Sequence, residues 1–304
     1  MTSAPVRKTR EFALLGLLAL LWGSSYLLIK VAVAEIPPVS LIALRVSVAA
    51  IVLVVLVAWR GRRFPRRLSD WRMFMLQAFF NSIGAWTVLA WGQQYVDSGL
   101  ASVLNSTSPI FVFLFTALVT RHEPAPPQKL FGACLGLGGV VLIVGPSALE
   151  GLGSHLAGQL AVLSGAVLYA VAAIYGRRFA PFPAEVTAAA TMICASAVLV
   201  PASLWIDRPW LLSPSLPALA AAMALAVLCT ALALILYFRL VRTLGSMGVA
   251  SQAYLRAGVG VALGVLLLGE SIAPATAIGL AAALVGVVLI NTRFRPPNTR
   301  ADQI

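Results

Sequence analysis

GVVLI at residues 139–143 returns as GVVLI at residues 286–290, 147 positions further along the chain. In the same register Glu123 falls on Glu270, Pro127 on Pro274 and Gly132 on Gly279. Helices rich in Leu, Val and Gly resemble one another by chance. A run of five identical residues aligned with a Glu, a Pro and a Gly points instead to an internal repeat. A weaker match lies at a shift of 142, where Leu18, Ala19, Leu21 and Gly23 fall on Leu160, Ala161, Leu163 and Gly165. The chain therefore reads as two copies of one unit.

Each GVVLI closes an apolar run, and such runs fill the chain. Hydrophobic residues make up 60% of the 304 positions, charged residues only 11%, and the mean hydropathy is +0.94. A soluble domain carries about a quarter charged residues. Runs of roughly 20 apolar residues match a helix crossing ~30 Å of hydrocarbon. Helical spans are expected at 12–33, 39–59, 73–95, 99–120, 129–145, 157–179, 184–206, 217–239, 247–268 and 274–291. The expected units are 12–146 and 157–291, with tails at 1–11 and 292–304. Five helices in each unit is an odd number, so the two units must enter the bilayer in opposite senses.

Lys and Arg fix the expected orientation. With the N-terminus inside, 18 of the 22 basic residues fall in inner segments, against Lys30 and Arg208 outside and Arg45 and Arg256 within spans. Such a bias follows the positive-inside rule and would blur if a span were missed. The fold expected is an all-α integral membrane protein. It has ten transmembrane helices in two inverted five-helix repeats, with both termini cytoplasmic.

The net charge of +12 does not point to nucleic acid, because the basic residues sit between apolar runs and form no continuous face. Arg60, Arg62, Arg63, Arg66 and Arg67 read as a topology signal in contact with lipid headgroups. Cys134, Cys194 and Cys229 lie in apolar runs with no disulfide or metal spacing. His122 and His155 fall far apart in loops, so no metal or other cofactor is expected. No cleavable leader is expected either, since the run beginning at Phe12 is too long for one.

The same stretches resemble a known family. Trp22-Gly23-Ser24-Ser25 is similar to its WGS signature in the first helix. Ala101-Ser102 with Ser108-Pro109, then Arg121-His122-Glu123-Pro124, resembles its fourth-helix pattern, and Ala250-Ser251 with Leu267-Leu268-Gly269-Glu270 repeats it. These are marks of the EamA-type transporters of the drug/metabolite transporter superfamily. The chain looks most like the YddG-type exporters of aromatic amino acids. The resemblance implies ten helices in two inverted halves within the bacterial inner membrane, and export of amino acids or other metabolites. One departure stands out: Tyr254-Leu255-Arg256-Ala257 carries a cation where the family often has a proline.

The ten acids all map to helix ends, loops or tails. Proton-exchanging pumps usually hold a carboxylate at membrane depth, so facilitated movement is expected. Arg256 falls near the midplane, where an Arg is costly unless it faces a cavity or a partner. Its donor fork suits a carboxylate: Arg256 either holds or gates a substrate carboxylate, or is matched by a structural partner. Gln252 lies one turn before it. Arg45, nearer a span end, reads as snorkelling or bonded to backbone carbonyls. Asn105, Ser108 and Pro109 share one face of the fourth helix, where a proline frees an upstream carbonyl. Interhelical packing is the plainer reading of that face. On the third helix Gln77, Asn81, Gly84, Trp91 and Tyr95 align, with Trp86 pointing elsewhere.

Trp22, Ser25, Tyr26 and Tyr169 complete the candidate binding set, with Asn81, Trp91, Asn105, Ser108, Gln252 and Arg256. Pro109, Gly258 and Gly260 are the candidate hinges. Gly132, Gly136, Gly139, Gly279 and Gly286 read as close helix contacts. The partners expected are a small-molecule substrate and membrane lipid, with the protein a monomer or weak dimer. A membrane enzyme would need HExxH, paired buried acids or a Ser/His set, and none is seen. The function expected is export of amino acids or similar small metabolites by alternating access, with drugs the alternative cargo and a channel less favoured.

Overall fold

The computed structural model describes residues 4–92, 94–96, 98–120, 126–144, 152, 155–256, 258–259 and 274–292, and every regular element among them is helical. The α-helices are α1 (Ala4–Val33), α2 (Pro38–Trp59), α3 (Leu68–Ala78), α4 (Ala85–Gly92), α5 (Ser98–Asn105), α6 (Ser108–Leu114), α7 (Pro127–Val144), α8 (Leu156–Tyr175), α9 (Ala184–Ile206), α10 (Leu216–Ala226), α11 (Ala233–Ala250) and α12 (Pro274–Asn291). Among the described residues six helical bodies are long and apolar enough to cross a membrane: Pro38–Trp59, Leu68–Gly92, Leu156–Phe179, Ala184–Ile206, Leu216–Ala250 and Pro274–Asn291. Val103–Val119 and Pro127–Ile143 are shorter apolar helices. The ninth expected span, at 247–268, is described only as far as residue 259.

Two long bodies contain a π-helical turn. Phe79–Gly84 joins α3 to α4, and Val227–Leu232 joins α10 to α11. The two turns lie 148 positions apart, close to the 147 of the sequence repeat. Prolines with nearly equal backbone angles start α2 and α9: Pro37 at φ −54°, ψ 147° and Pro183 at φ −57°, ψ 143°. α11 joins two helices at a break, Gly245, which lies between the expected span ending at 239 and the one starting at 247. Its φ of 78° and ψ of 178° fall in the backbone region that glycine enters without a Cβ penalty.

α2 and α9 pack antiparallel. At one end the Ser40 N–H and hydroxyl both donate to Asp207 Oδ2 at 2.8 Å, which ties the start of α2 to the end of α9. At the other end Arg60 and Arg62 approach Glu185 at 3.4 and 3.7 Å. Small residues such as Ala43, Ala49, Ala188 and Ala195 are fully buried or nearly so, as close approach between apolar helices requires.

α7 and α12 also run antiparallel, glycine on glycine. A Cβ on Gly286 would stand 2.5 Å from the Gly132 carbonyl oxygen, and one on Gly139 2.5 Å from the Gly279 carbonyl oxygen. Glycine is needed at these sites because backbone meets backbone.

The helix ends carry the polar contacts. Glu11 accepts from Arg239 Nη2 at 2.8 Å and from the Thr243 hydroxyl at 2.9 Å. Burial raises its carboxyl, but the Arg239 and Thr243 hydrogen bonds and the charges of Arg239 and Arg10 outweigh that and leave it below its usual 4.5. At the opposite end Glu35 accepts from the Ser215 backbone at 2.6 Å and its hydroxyl at 2.7 Å, and these bonds lower its carboxyl as well.

Candidate functional site

A cavity of about 340 Å³ opens among α1, α2, α4, α5, α8, α10 and the residues after α11. Its walls are mainly apolar, with Trp22, Trp86 and Tyr169 as aromatic faces and Ser25, Arg45, Gln94, Asn105 and Arg256 as polar groups. Among the described residues that line it there is neither Asp nor Glu. Val33, Pro38 and Gln94 carry it toward the end of the bundle where Glu35 meets Ser215. At the opposite, arginine-rich end an aromatic cluster fills the space instead. Phe74 stacks on Phe179 at 4.9 Å, and Phe182 and Phe238 pack around them.

The π-turns build the centre of this site. In Val227–Leu232 the Ala233 N–H bonds to Leu228 O, so the Cys229 carbonyl loses its usual helical partner. That carbonyl accepts instead from Trp22 Nε1 at 3.0 Å and from Arg45 Nη2 at 3.3 Å. Arg45 Nε donates to the Thr230 hydroxyl at 2.6 Å, and Thr230 donates onward to Leu225 O at 2.9 Å. The Arg45 guanidinium lies 3.9 Å above the Trp86 ring centre. Arg256 Nε donates to Gln252 Oε1 at 2.7 Å, and its guanidinium stands 4.9 Å from the Trp22 ring centre. Both arginines thus rest on tryptophan faces, whose quadrupole favours a cation.

Of the residues singled out from the sequence, Trp22, Ser25, Asn105, Tyr169 and Arg256 line the cavity. Gln252 stands behind it as the partner of Arg256. Asn81 does not line it: fully buried, it donates to the Ser82 hydroxyl at 3.2 Å inside the first π-turn. Trp91 is exposed and packs on Tyr95 at 4.9 Å. Tyr26 lies in α1, and Gly260 lies outside the described residues.

Three readings change. Trp86 faces the cavity rather than away from it. The π-turn inserts one residue into α3–α4 and rotates everything after it by about 100°, so Trp86, Leu89 and Ala90 share the cavity face. Asn105, Ser108 and Pro109 do not share a face around the site. The helix stops at Asn105, turns through Ser106 and Thr107, and restarts at Ser108. Pro109 then sits in the first turn of the new helix, where its missing N–H costs nothing. Arg45 bonds a backbone carbonyl, one of its two expected roles, yet it also lines the cavity.

The second candidate hinge region shows a similar turn. The helical run after Gly245 is interrupted at Ser251, whose hydroxyl donates to Gly248 O at 2.7 Å and accepts from Asn291 Nδ2 at 3.0 Å. Just beyond, the fully buried Tyr254 donates to Ala133 O at 2.9 Å and lies against Gly136 of α7. Gly258 follows, close to Leu280 of α12.

Comparison with known proteins places this chain among transporters. The profile of the EamA-like transporter family matches residues 11–145 and 156–292. The uncharacterized inner membrane transporter YedA of Escherichia coli K12 is 27% identical over 281 residues, spanning 92% of this chain and 90% of that protein. The uncharacterized transporter YvbV of Bacillus subtilis is 24% identical over 297 residues, 97% of this chain and 95% of its own. A crystal structure 20% identical in sequence superposes with a TM-score of 0.77 over 93% of this chain and 97% of that one, which speaks for the fold alone.

Proposed function

As the chain belongs to the EamA-like transporter family and is a multi-pass membrane transporter of small substrates, we propose that it exports carboxylate-bearing metabolites, amino acids and aromatic ones among them, by alternating access. The observation that carries this reading is Arg256, which reaches a cavity with no lining carboxylate among the described residues while its guanidinium rests on Trp22. A buried arginine fork suits a carboxylate, and Trp22, Trp86 and Tyr169 offer flat apolar faces to a ring. These features favour the YddG-type exporters of aromatic amino acids within the family.

In this reading ten helices cross the inner membrane, in two halves of opposite sense with both termini in the cytoplasm. The antiparallel pairs α2–α9 and α7–α12 support that inversion. So do the glycine contacts: shifting Gly132 and Gly286 by the repeat of 147 gives the pair Gly279 and Gly139, which also touch. Exchange of a contact with its own copy is what a two-fold relation produces. The arginine-rich end is the cytoplasmic one. The aromatic cluster around Phe74 and Phe179 closes that end while the cavity extends toward the other.

The substrate contacts proposed are Trp22, Ser25, Asn105, Tyr169 and Arg256, with Gln252 holding Arg256 in place. Of the acids within the described residues, Glu11, Glu35, Glu185 and Asp207 bond at helix ends and Asp70 lies in the first turn of α3. That placement favours facilitated movement. The test is flux of labelled amino acids into liposomes holding the purified protein, with and without a proton gradient. Saturable flux indifferent to the gradient is the expected result. Arg256→Gln is expected to weaken carboxylate cargo about tenfold or more and to spare neutral analogues. Equal loss for both would turn the reading toward a structural Arg256.

A further inference from the structure

Arg45 adds a second fixed cation to the same cavity. It is 5% exposed, and among the described residues its guanidinium finds acceptors for Nε and for one N–H of Nη2. Among the described residues neither it nor Arg256 meets a carboxylate, and no carboxylate lines the cavity. The two sites are joined through one indole: Trp22 shares the Cys229 carbonyl with Arg45 on one side and carries Arg256 over its ring on the other.

Two like charges in a low-dielectric cleft repel each other and are poorly solvated. A neutral cargo relieves neither cost. The carboxylate of a zwitterion meets one arginine and leaves the other, while its ammonium adds a third cation with no lining carboxylate among the described residues to meet it. An anion with two negative groups offsets both arginines at once. We propose that this site selects an organic dianion, Arg45 and Arg256 each taking one negative group and the indoles of Trp22 and Trp86 flanking the carbon body between. The inference rests on the transporter reading of the cavity and narrows its cargo.

Three probes with one phenyl body test the charge preference: phenylsuccinate as dianion, phenylpyruvate as monoanion and phenylalanine as zwitterion. Binding is followed by ligand-induced thermal stabilisation of the purified full chain, and flux by counterflow in liposomes. Phenylsuccinate is expected to bind about tenfold or more tighter than phenylalanine, the scale of one added charged hydrogen-bond partner. Arg45→Gln should weaken phenylsuccinate about tenfold and so erase that preference, and Arg45→Lys should restore part of it. Should neither variant fold, the phenylsuccinate-to-phenylalanine ratio of the unaltered protein decides the matter alone.

Flux and binding that favour phenylalanine, or treat the probes alike, would overturn the dianion site and leave the amino-acid exporter standing. Sulfate stabilising the protein as well as phenylsuccinate would reduce the site to a general anion hole and overturn it too. So would Arg45→Gln losing all three probes equally, which marks a structural residue. Binding and flux absent for every probe would overturn this proposal together with the exporter reading.

Discussion

At the scale of the residue, the site depends on backbone irregularity more than on side-chain identity. Cys229 serves the site through its carbonyl, which a π-turn releases from the helix. Gly84 makes the matching point in the other half. A Cβ there would stand 2.9 Å from the Phe79 carbonyl and 3.1 Å from Leu168 Cδ1. Gly84→Ala should therefore strain the turn that carries Trp86, costing about 1–3 kcal/mol and weakening ligand stabilisation. Gly138→Ala is the control, since nothing lies within 4 Å of its added Cβ. It should be neutral or stabilise by up to about 1 kcal/mol. Thermal melting of the two variants in detergent compares them directly, and equal melting points would remove the special role of the turn. A constant 3.6-residue period through Phe79–Gly84 turns Trp86 off the cavity face, and the π-turn there brings it back. An extra residue in one turn leaves no mark in composition.

At the scale of the element, two kinds of helix contact hold the bundle. α7 and α12 meet where glycines let backbones touch, and lipid offers no hydrophobic drive to replace such fit. Gly286→Ala would press a methyl group into the Gly132 carbonyl, 2.5 Å from the ideal Cβ position. A loss of about 1–3 kcal/mol is expected, read as a lower melting temperature. The row of glycines and its role were legible from the repeat itself, because small residues at fixed spacing in an apolar helix have few other uses.

The polar contacts at helix ends were not legible, since Glu11 and Arg239 are 228 positions apart. They set an acid dependence. Glu11 and Glu35 both have native pKa values below their unfolded value of 4.5. Their contribution is therefore complete above about 4.5 and fades as pH falls through the lower native values. The melting temperature should hold between about pH 7 and pH 5 and drop below that. The drop should shrink in the double variant Glu11→Gln, Glu35→Gln. An unchanged drop would assign acid sensitivity to other carboxylates.

At the scale of the whole molecule, the cavity extends toward one end and an aromatic cluster fills the other. The proposed alternating access requires that cluster to part. Cysteines placed at 74 and 179, whose native rings lie 4.9 Å apart, give a direct check when joined by a short bifunctional reagent. The bridged protein is expected to lose flux and to keep ligand-induced stabilisation, because the cavity itself is untouched. Full flux after bridging would show that passage does not require this end to open.

By itself the sequence determined the helical class and the family. These depend on the length of apolar runs and on motifs a few residues long, all of which are local. It also marked Arg256, since a cation ten residues into an apolar run has few cheap places to go. Only the tertiary structure decided which side chains meet. Arg45 joins the site because a carbonyl 184 positions away leaves its helix, and Trp86 joins because a single extra residue turns its helix face. Asn105 stays in the cavity while Ser108 and Pro109 leave it because the chain turns between them. Each outcome depends on how a helix departs from regularity, and such departures are settled by packing against distant segments rather than by neighbours in the chain.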